Sequence, residues 1–147
     1  MKIEPKYNLQ LRKEGSGTEV MDPVRKKFVK LTPEEFVRQH LIRYLHEDLG
    51  YPYSRMQVEK ALIFAQRSGR IDLAVFDRDG KALILVECKQ SEHPINQQVV
   101  DQAARYNLKY RVPWLVVSNG KESHCYQIDY NRMLTIERYA LPPADNL

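Results

Sequence analysis

Apolar residues recur along the chain in two periods, and the switch between them predicts the elements. Over residues 33–49, Val37, Leu41, Tyr44 and Leu45 fall at helical spacing, which puts them on one face of a helix. Thr32-Pro33-Glu34-Glu35 precedes them with an N-cap residue, a proline at the first helical position and acids in the first turn. Gly50, ahead of Tyr51-Pro52, ends that helix. Met56–Phe64 has the composition of a strand, and Arg67-Ser68-Gly69 reads as a turn. Ile71–Phe76 and Lys81–Cys88 are the two clearest strands, joined into a hairpin by Asp77-Arg78-Asp79-Gly80. A second helix is predicted from Pro94 to about Tyr110, with Ile95, Val99, Ala103, Tyr106 and Tyr110 along one side. Trp114–Val117 is a short apolar strand closed by Ser118-Asn119-Gly120, and Cys125–Ile128 reads as a final edge strand. The order α-β-β-β-α-β-β predicts an α/β domain with a mixed central sheet flanked by helices.

Either side of this body the pattern fades. Residues 1–30, with Gly15-Ser16-Gly17, read as an extended arm with one short strand or turn at most. The body is expected over 31–135 and a tail with Pro142-Pro143 over 136–147. A total of 147 residues, 43% hydrophobic and 29% charged, suits one globular domain and excludes a disordered or collagen-like chain. The longest apolar runs, Ala82–Val86 and Pro113–Val117, are far below the roughly 18 residues of a membrane span. No secretory signal follows Met1, so a cytoplasmic protein with reduced Cys88 and Cys125 is expected. The net charge of +4 lies wholly in the first 32 residues, which hold eight Lys or Arg against four acids. A basic segment beside a neutral body suits a polyanion such as nucleic acid, and equally a solvated tail.

The hairpin carries the candidate chemistry. Side chains alternate along a strand, so Glu87 and Lys89 project to one side, about 7 Å apart. With residues 77–80 as the loop, Phe76 pairs with Lys81 and opposite positions sum to 157. Asp72 then lies opposite Leu85 and diagonal to Glu87, on the same face. A slip in register preserves that face only in even increments. Two carboxylates beside an ammonium suit a Mg²⁺ ion, or Mn²⁺ in its place, which binds a phosphate oxygen and activates water. The lysine can position or deprotonate that water, or offset charge developing on the phosphorus. Hydrolysis of a phosphodiester fits such a set. Against this, Glu4-Pro5-Lys6 and Asp79-Gly80-Lys81 have the same acid-x-Lys form, and charges after an apolar strand commonly mark its exit to solvent. On the second helix Gln102 and Tyr106 share a face with Val99 and Ala103. A buried-side glutamine there either satisfies the sheet backbone or points to the hairpin cluster.

Ile71-Asp72, Val86-Glu87-Cys88-Lys89 and Gln102-Ala103-Ala104-Arg105-Tyr106 together resemble the PD-(D/E)XK nuclease superfamily. The set is more closely similar to the N-terminal nuclease domain of type I restriction enzyme R subunits. Thr32-Pro33-Glu34-Glu35-Phe36-Val37-Arg38-Gln39, Tyr51-Pro52, Arg70-Ile71-Asp72 and Asn119-Gly120 also match that family's pattern, so the likeness covers roughly residues 20–130. It implies a single restriction-endonuclease-like domain with an αβββαβ core that cuts double-stranded DNA with Mg²⁺. Asp72, Glu87 and the Cys88 carbonyl would be metal ligands and Lys89 the catalytic lysine. Gln102 and Tyr106 would aid cleavage or DNA binding, and Glu35, with Glu34 competing for the match, would be the first-helix acid. R subunits carry an ATP-driven motor for which 147 residues leave no room, and no Gly-x-x-x-x-Gly-Lys-Ser/Thr loop is present. Translocation is therefore not expected here, and a separate motor or specificity subunit becomes a candidate partner.

Other readings stay open. A zinc site from Cys88, His93, His124 and Cys125 has suitable ligand types but no Cys-x-x-Cys knuckle. His124 and Cys125 as a hydrolytic pair are adjacent on a strand and face opposite ways. A non-catalytic module that keeps the fold to bind DNA or protein is the sharper rival. Tyr51, Tyr53, Tyr110, Tyr126 and Tyr130 could form its surface. A homodimer would suit double-strand cutting.

Overall fold

Two sheets divide the chain in a computed structural model, which describes residues 1–3, 6–64 and 67–144, with the side chains of 60–70, 106, 108 and 109 outside the description. The first sheet forms where the sequence predicted an extended arm. Strands β1 (Leu11–Glu14), β2 (Gly17–Asp22) and β3 (Lys27–Lys30) make an antiparallel meander in that order. Gly15, at φ +58°, makes the first turn, a conformation that costs glycine nothing. The second is closed by Asp22, whose Oδ1 accepts from the Val24 and Arg25 amides at 2.7 and 2.9 Å. Val20 pairs with both Leu11 and Val29 and is fully buried. Strands of four residues are too short to display a period of two, which is why pairing across the turns was not legible.

Helix α1 (Pro33–Arg43) starts as predicted: Thr32 Oγ1 accepts from the Glu35 amide at 3.1 Å. It continues as a π-helical turn, Tyr44–Asp48, and Gly50, at φ +83°, ends it with its N–H on the His46 carbonyl. The main sheet runs β4 (Met56–Phe64), β5 (Arg67–Phe76), β6 (Ala82–Cys88), β7 (Trp114–Ser118), β8 (Ser123–Asp129) and β9 (Leu134–Arg138), in that order. All neighbours are antiparallel except β6 and β7, which α2 (Gln97–Tyr110) connects. The result is a mixed α/β architecture in which the predicted order α-β-β-β-α-β-β is preceded by the three-stranded meander and followed by β9.

Several boundaries differ from the sequence reading. Arg67-Ser68-Gly69 lies within β5, not in a turn, with Phe64 paired to Arg67. Pro94 precedes the second helix, whose cap is Asn96; its side chain accepts from the Val99 amide at 3.1 Å. The predicted edge strand is interior, because β9 pairs along it. Tyr51 is not a surface tyrosine: it is fully buried and donates to the Pro142 carbonyl at 2.8 Å. That bond and the one from Ala144 N–H to the Leu49 carbonyl fasten the C-terminal segment under α1.

The core has two layers, one on each face of the main sheet. Val37, Leu41, Ile42 and Leu45 of α1 pack with Leu73, Val75, Ile84, Val86 and Cys88. Ala103 of α2 packs with Ala74, Leu85, Leu115 and Val117. Alternation along β6 is what gives each helix its own apolar surface. Among the described residues no helix is long and apolar enough to cross a membrane.

Candidate active site

The strands β5 and β6 bring Asp72 and Glu87 near each other, in a register that differs from the predicted one. Phe76 pairs with Ala82 instead of Lys81, and one residue, Leu83, bulges before Val75 pairs with Ile84. Beyond these two single-residue offsets Leu73 pairs with Val86, the last pair of this ladder. Opposite positions now sum to 159, not 157.

Each group has a local anchor. Asp72 Oδ2 accepts from the Cys88 amide at 2.7 Å, and Oδ1 lies 3.4 Å from Arg38 Nη2. Lys89 is tied at the end of β6 by its own amide, which donates to the Ser118 carbonyl of β7 at 2.8 Å. Its Nζ stands 3.6 Å from Glu87 Oε1. On the far side of β5, Glu59 adopts a left-handed φ of +55° between the pairs Val58 with Leu73 and Lys60 with Ile71. A glutamate there costs about 1 kcal/mol or more of backbone strain, and it interrupts the ladder opposite Asp72. The Glu59 carboxylate lies 3.5 Å from Arg38 Nη1.

Burial pushes the Asp72 carboxyl above the usual aspartate range, with the Glu34 charge adding to it; the Cys88 amide and the Arg38 and Lys89 charges pull the other way. The effect is larger on Glu87. Burial first and the neighbouring Asp72 second push it up to about 7, against Lys89, with Glu34 again raising it. Two hard oxygen donors that resist joint ionisation are chemically suited to a divalent cation, which relieves both burial and repulsion. Mg²⁺ takes few carboxylates and keeps several waters. The donor set fits such an ion, although among the described residues no group of three or more His, Cys, Asp or Glu forms a ready-made cage.

The two first-helix acids differ in their surroundings. Glu35 is buried, with Oε1 accepting from Arg25 Nη2 at 2.5 Å and Arg38 Nη1 at 3.2 Å, and Oε2 accepting from Gln39 Nε2 at 3.3 Å. Its carboxylate is therefore held by two guanidinium groups. Glu34 is the acid whose charge acts on both Asp72 and Glu87. Gln102 lines a small cleft with Glu87, Lys89, Val99 and Ala103, as its spacing suggested. Its side chain is exposed, however, not buried against the sheet. The Tyr106 side chain lies outside the described residues.

Arg38 escaped the sequence reading. A signal was present: Glu35, Arg38, Ile42 and Leu45 recur at helical spacing and are all buried, so an acid and a cation share one stripe with two apolar residues. The zinc ligands do not gather. Cys88 and Cys125 are free thiols on β6 and β8 with β7 between them. Burial raises the Cys88 thiol well above its ordinary range, and Cys125 Sγ donates to the Arg138 carbonyl at 3.2 Å. His124 pairs with Glu137 at 2.7 Å.

Compared with known families, residues 33–142 match the type I restriction enzyme R protein N terminus (HSDR_N). No curated protein matches the chain.

Proposed function

The chain belongs to the type I restriction enzyme R protein N-terminal family, and from that premise we propose that it is a Mg²⁺-dependent endodeoxyribonuclease with a restriction-endonuclease-like αβββαβ core. The observation that carries this reading is the gathering of Asp72, Glu87 and Lys89 where β5 and β6 meet: Asp72 Oδ2 accepts from the Cys88 amide at 2.7 Å, and Lys89 Nζ stands 3.6 Å from Glu87. Asp72, Glu87 and the Cys88 carbonyl are the proposed ligands of the ion. When bound, it polarises the scissile phosphate and lowers the pKa of an attacking water.

The chain's own groups have separable tasks in this proposal. The Cys88 amide and Arg38 hold Asp72 in one orientation, so its donor oxygens are set before substrate arrives. Lys89, on the same face and partly exposed, orients the water proton or neutralises charge developing on the phosphate oxygens. Glu34 is the proposed first-helix acid, supported by its influence on both ligands. Gln102, on the rim beside Glu87 and Lys89, is placed to contact the DNA backbone, and Tyr106 is proposed to join it. A separate motor or specificity subunit would supply targeting.

The test is cleavage of supercoiled plasmid with Mg²⁺ or Mn²⁺ by the wild type, by Lys89→Ala and in the presence of EDTA. Cutting by the wild type alone is expected. Absence of wild-type cutting, with salt-sensitive DNA binding retained, overturns the catalytic reading in favour of a binding module.

A further inference from the structure

An unbroken series of alternating charges runs from the N-terminal meander to the candidate site. Asp22, with no exposed surface, ends β2 and grips Arg25 twice: Oδ1 accepts from the Arg25 backbone amide at 2.9 Å and Oδ2 from its Nε at 2.6 Å. The Arg25 Nη2 donates to Glu35 Oε1, the same oxygen that accepts from Arg38 Nη1. The other terminal nitrogen of Arg38, Nη2, faces Asp72 Oδ1 at 3.4 Å. Arg38 is only 5% exposed along its side chain, and its Nε is buried with no hydrogen-bond partner. Such a guanidinium is held by its terminal nitrogens alone, so its direction depends on the carboxylates that flank it. Glu35 is the nearest of them, and Arg25 limits where Glu35 can sit.

We propose that Arg25, in the turn between β2 and β3, is a positioning residue for the candidate active site, acting on Asp72 through Glu35 and Arg38. Its position is outside the segment matched to the family, which begins at residue 33. The meander is on this account a working part of the site and not a solubilising arm. The word positioning rests on the nuclease reading, whereas the coupling itself does not need it. Asp22 fixes the backbone and side chain of Arg25 together, Arg25 and Arg38 share one oxygen of Glu35, and Arg38 faces the Asp72 oxygen that is not occupied by the Cys88 amide.

The Cys88 amide gives a direct reporter, because it donates to Asp72 Oδ2 at 2.7 Å and its resonance follows the orientation of that carboxylate. In ¹⁵N-labelled, metal-free full chain, Arg25→Gln is expected to move the Cys88 amide resonance. Arg25→Lys, which keeps the charge but not the fork, is expected to give a smaller shift in the same direction. Arg12→Gln is the control on the same meander; it breaks the pair with Glu19 and the stacking on Phe28 and is expected to leave Cys88 in place. Mn²⁺ titration should show affinity weakened about 3- to 10-fold in Arg25→Gln and unchanged in Arg12→Gln. A Cys88 resonance that stays put in a folded Arg25→Gln or Arg25→Lys protein overturns the coupling. So does an equal shift with Arg12→Gln, which would mark a general loosening of the meander. Wild-type protein that neither binds Mn²⁺ nor cuts DNA removes the nuclease reading instead, and the Cys88 response still decides the coupling.

Discussion

Glu87→Gln is expected to stabilise the metal-free protein at neutral pH and to change it little at pH 4.5. In the fold, burial and Asp72 raise the Glu87 carboxyl from 4.5 to about 7. Below pH 4.5 the group is protonated in both folded and unfolded chains and contributes no pH dependence. As pH rises from about 4.5 towards 7 the unfolded chain releases this proton while the folded protein retains it, so stability falls across that window. At about 1.4 kcal/mol per pH unit, the loss is on the order of 3 kcal/mol once pH exceeds the folded value. Glutamine carries no such proton, and removing the charge also relieves Asp72, with the same sign. For a domain of about 150 residues this corresponds to a melting difference of roughly 5–10 °C at pH 8, shrinking towards pH 4.5. Thermal melts of both proteins in EDTA at half-unit pH steps measure it. Adding Mn²⁺ at pH 7 should narrow the gap, because the ion binds the ionised carboxylates of the wild type. A melting difference that stays constant from pH 4.5 to 8 would refute the reasoning, since Glu87 would then titrate as an ordinary surface acid.

Two further substitutions probe the assignments around α1. Glu35→Gln should destabilise the fold by about 3 kcal/mol, because it leaves the buried Arg38 and its neighbour Arg25 short of a countercharge. Glu34→Gln should leave urea unfolding within about 1 kcal/mol of wild type and reduce metal-dependent cleavage about tenfold or more. The reverse pattern would return the first-helix role to Glu35. Gly120→Ala places a Cβ 3.1 Å from Val37 Cγ2 at a φ of +86°, so a loss of about 1–3 kcal/mol is expected. An unchanged unfolding midpoint would show that the loop after β7 yields to the methyl group.

Much of the site was determined by local sequence. The start of α1 follows from Thr32-Pro33 and the first-turn acids, and the hairpin that carries Asp72, Glu87 and Lys89 follows from two apolar strands around Asp77-Arg78-Asp79-Gly80. The hairpin was legible even though its register was not. The two offsets near Phe76 and Leu83, by contrast, depend on how both strands pack. The contrast in setting between Glu34 and Glu35 could not be read from two adjacent acids in one helical turn. It was decided by Arg25, ten residues away, and by Arg38, whose other partner Asp72 is thirty-four residues away. The meander was missed for the same reason: its strands are too short to show a period, and only pairing across the turns makes them a sheet. Periodicity and caps act between neighbours and are written in the sequence, whereas buried charges take their meaning from partners that only the tertiary fold brings within reach.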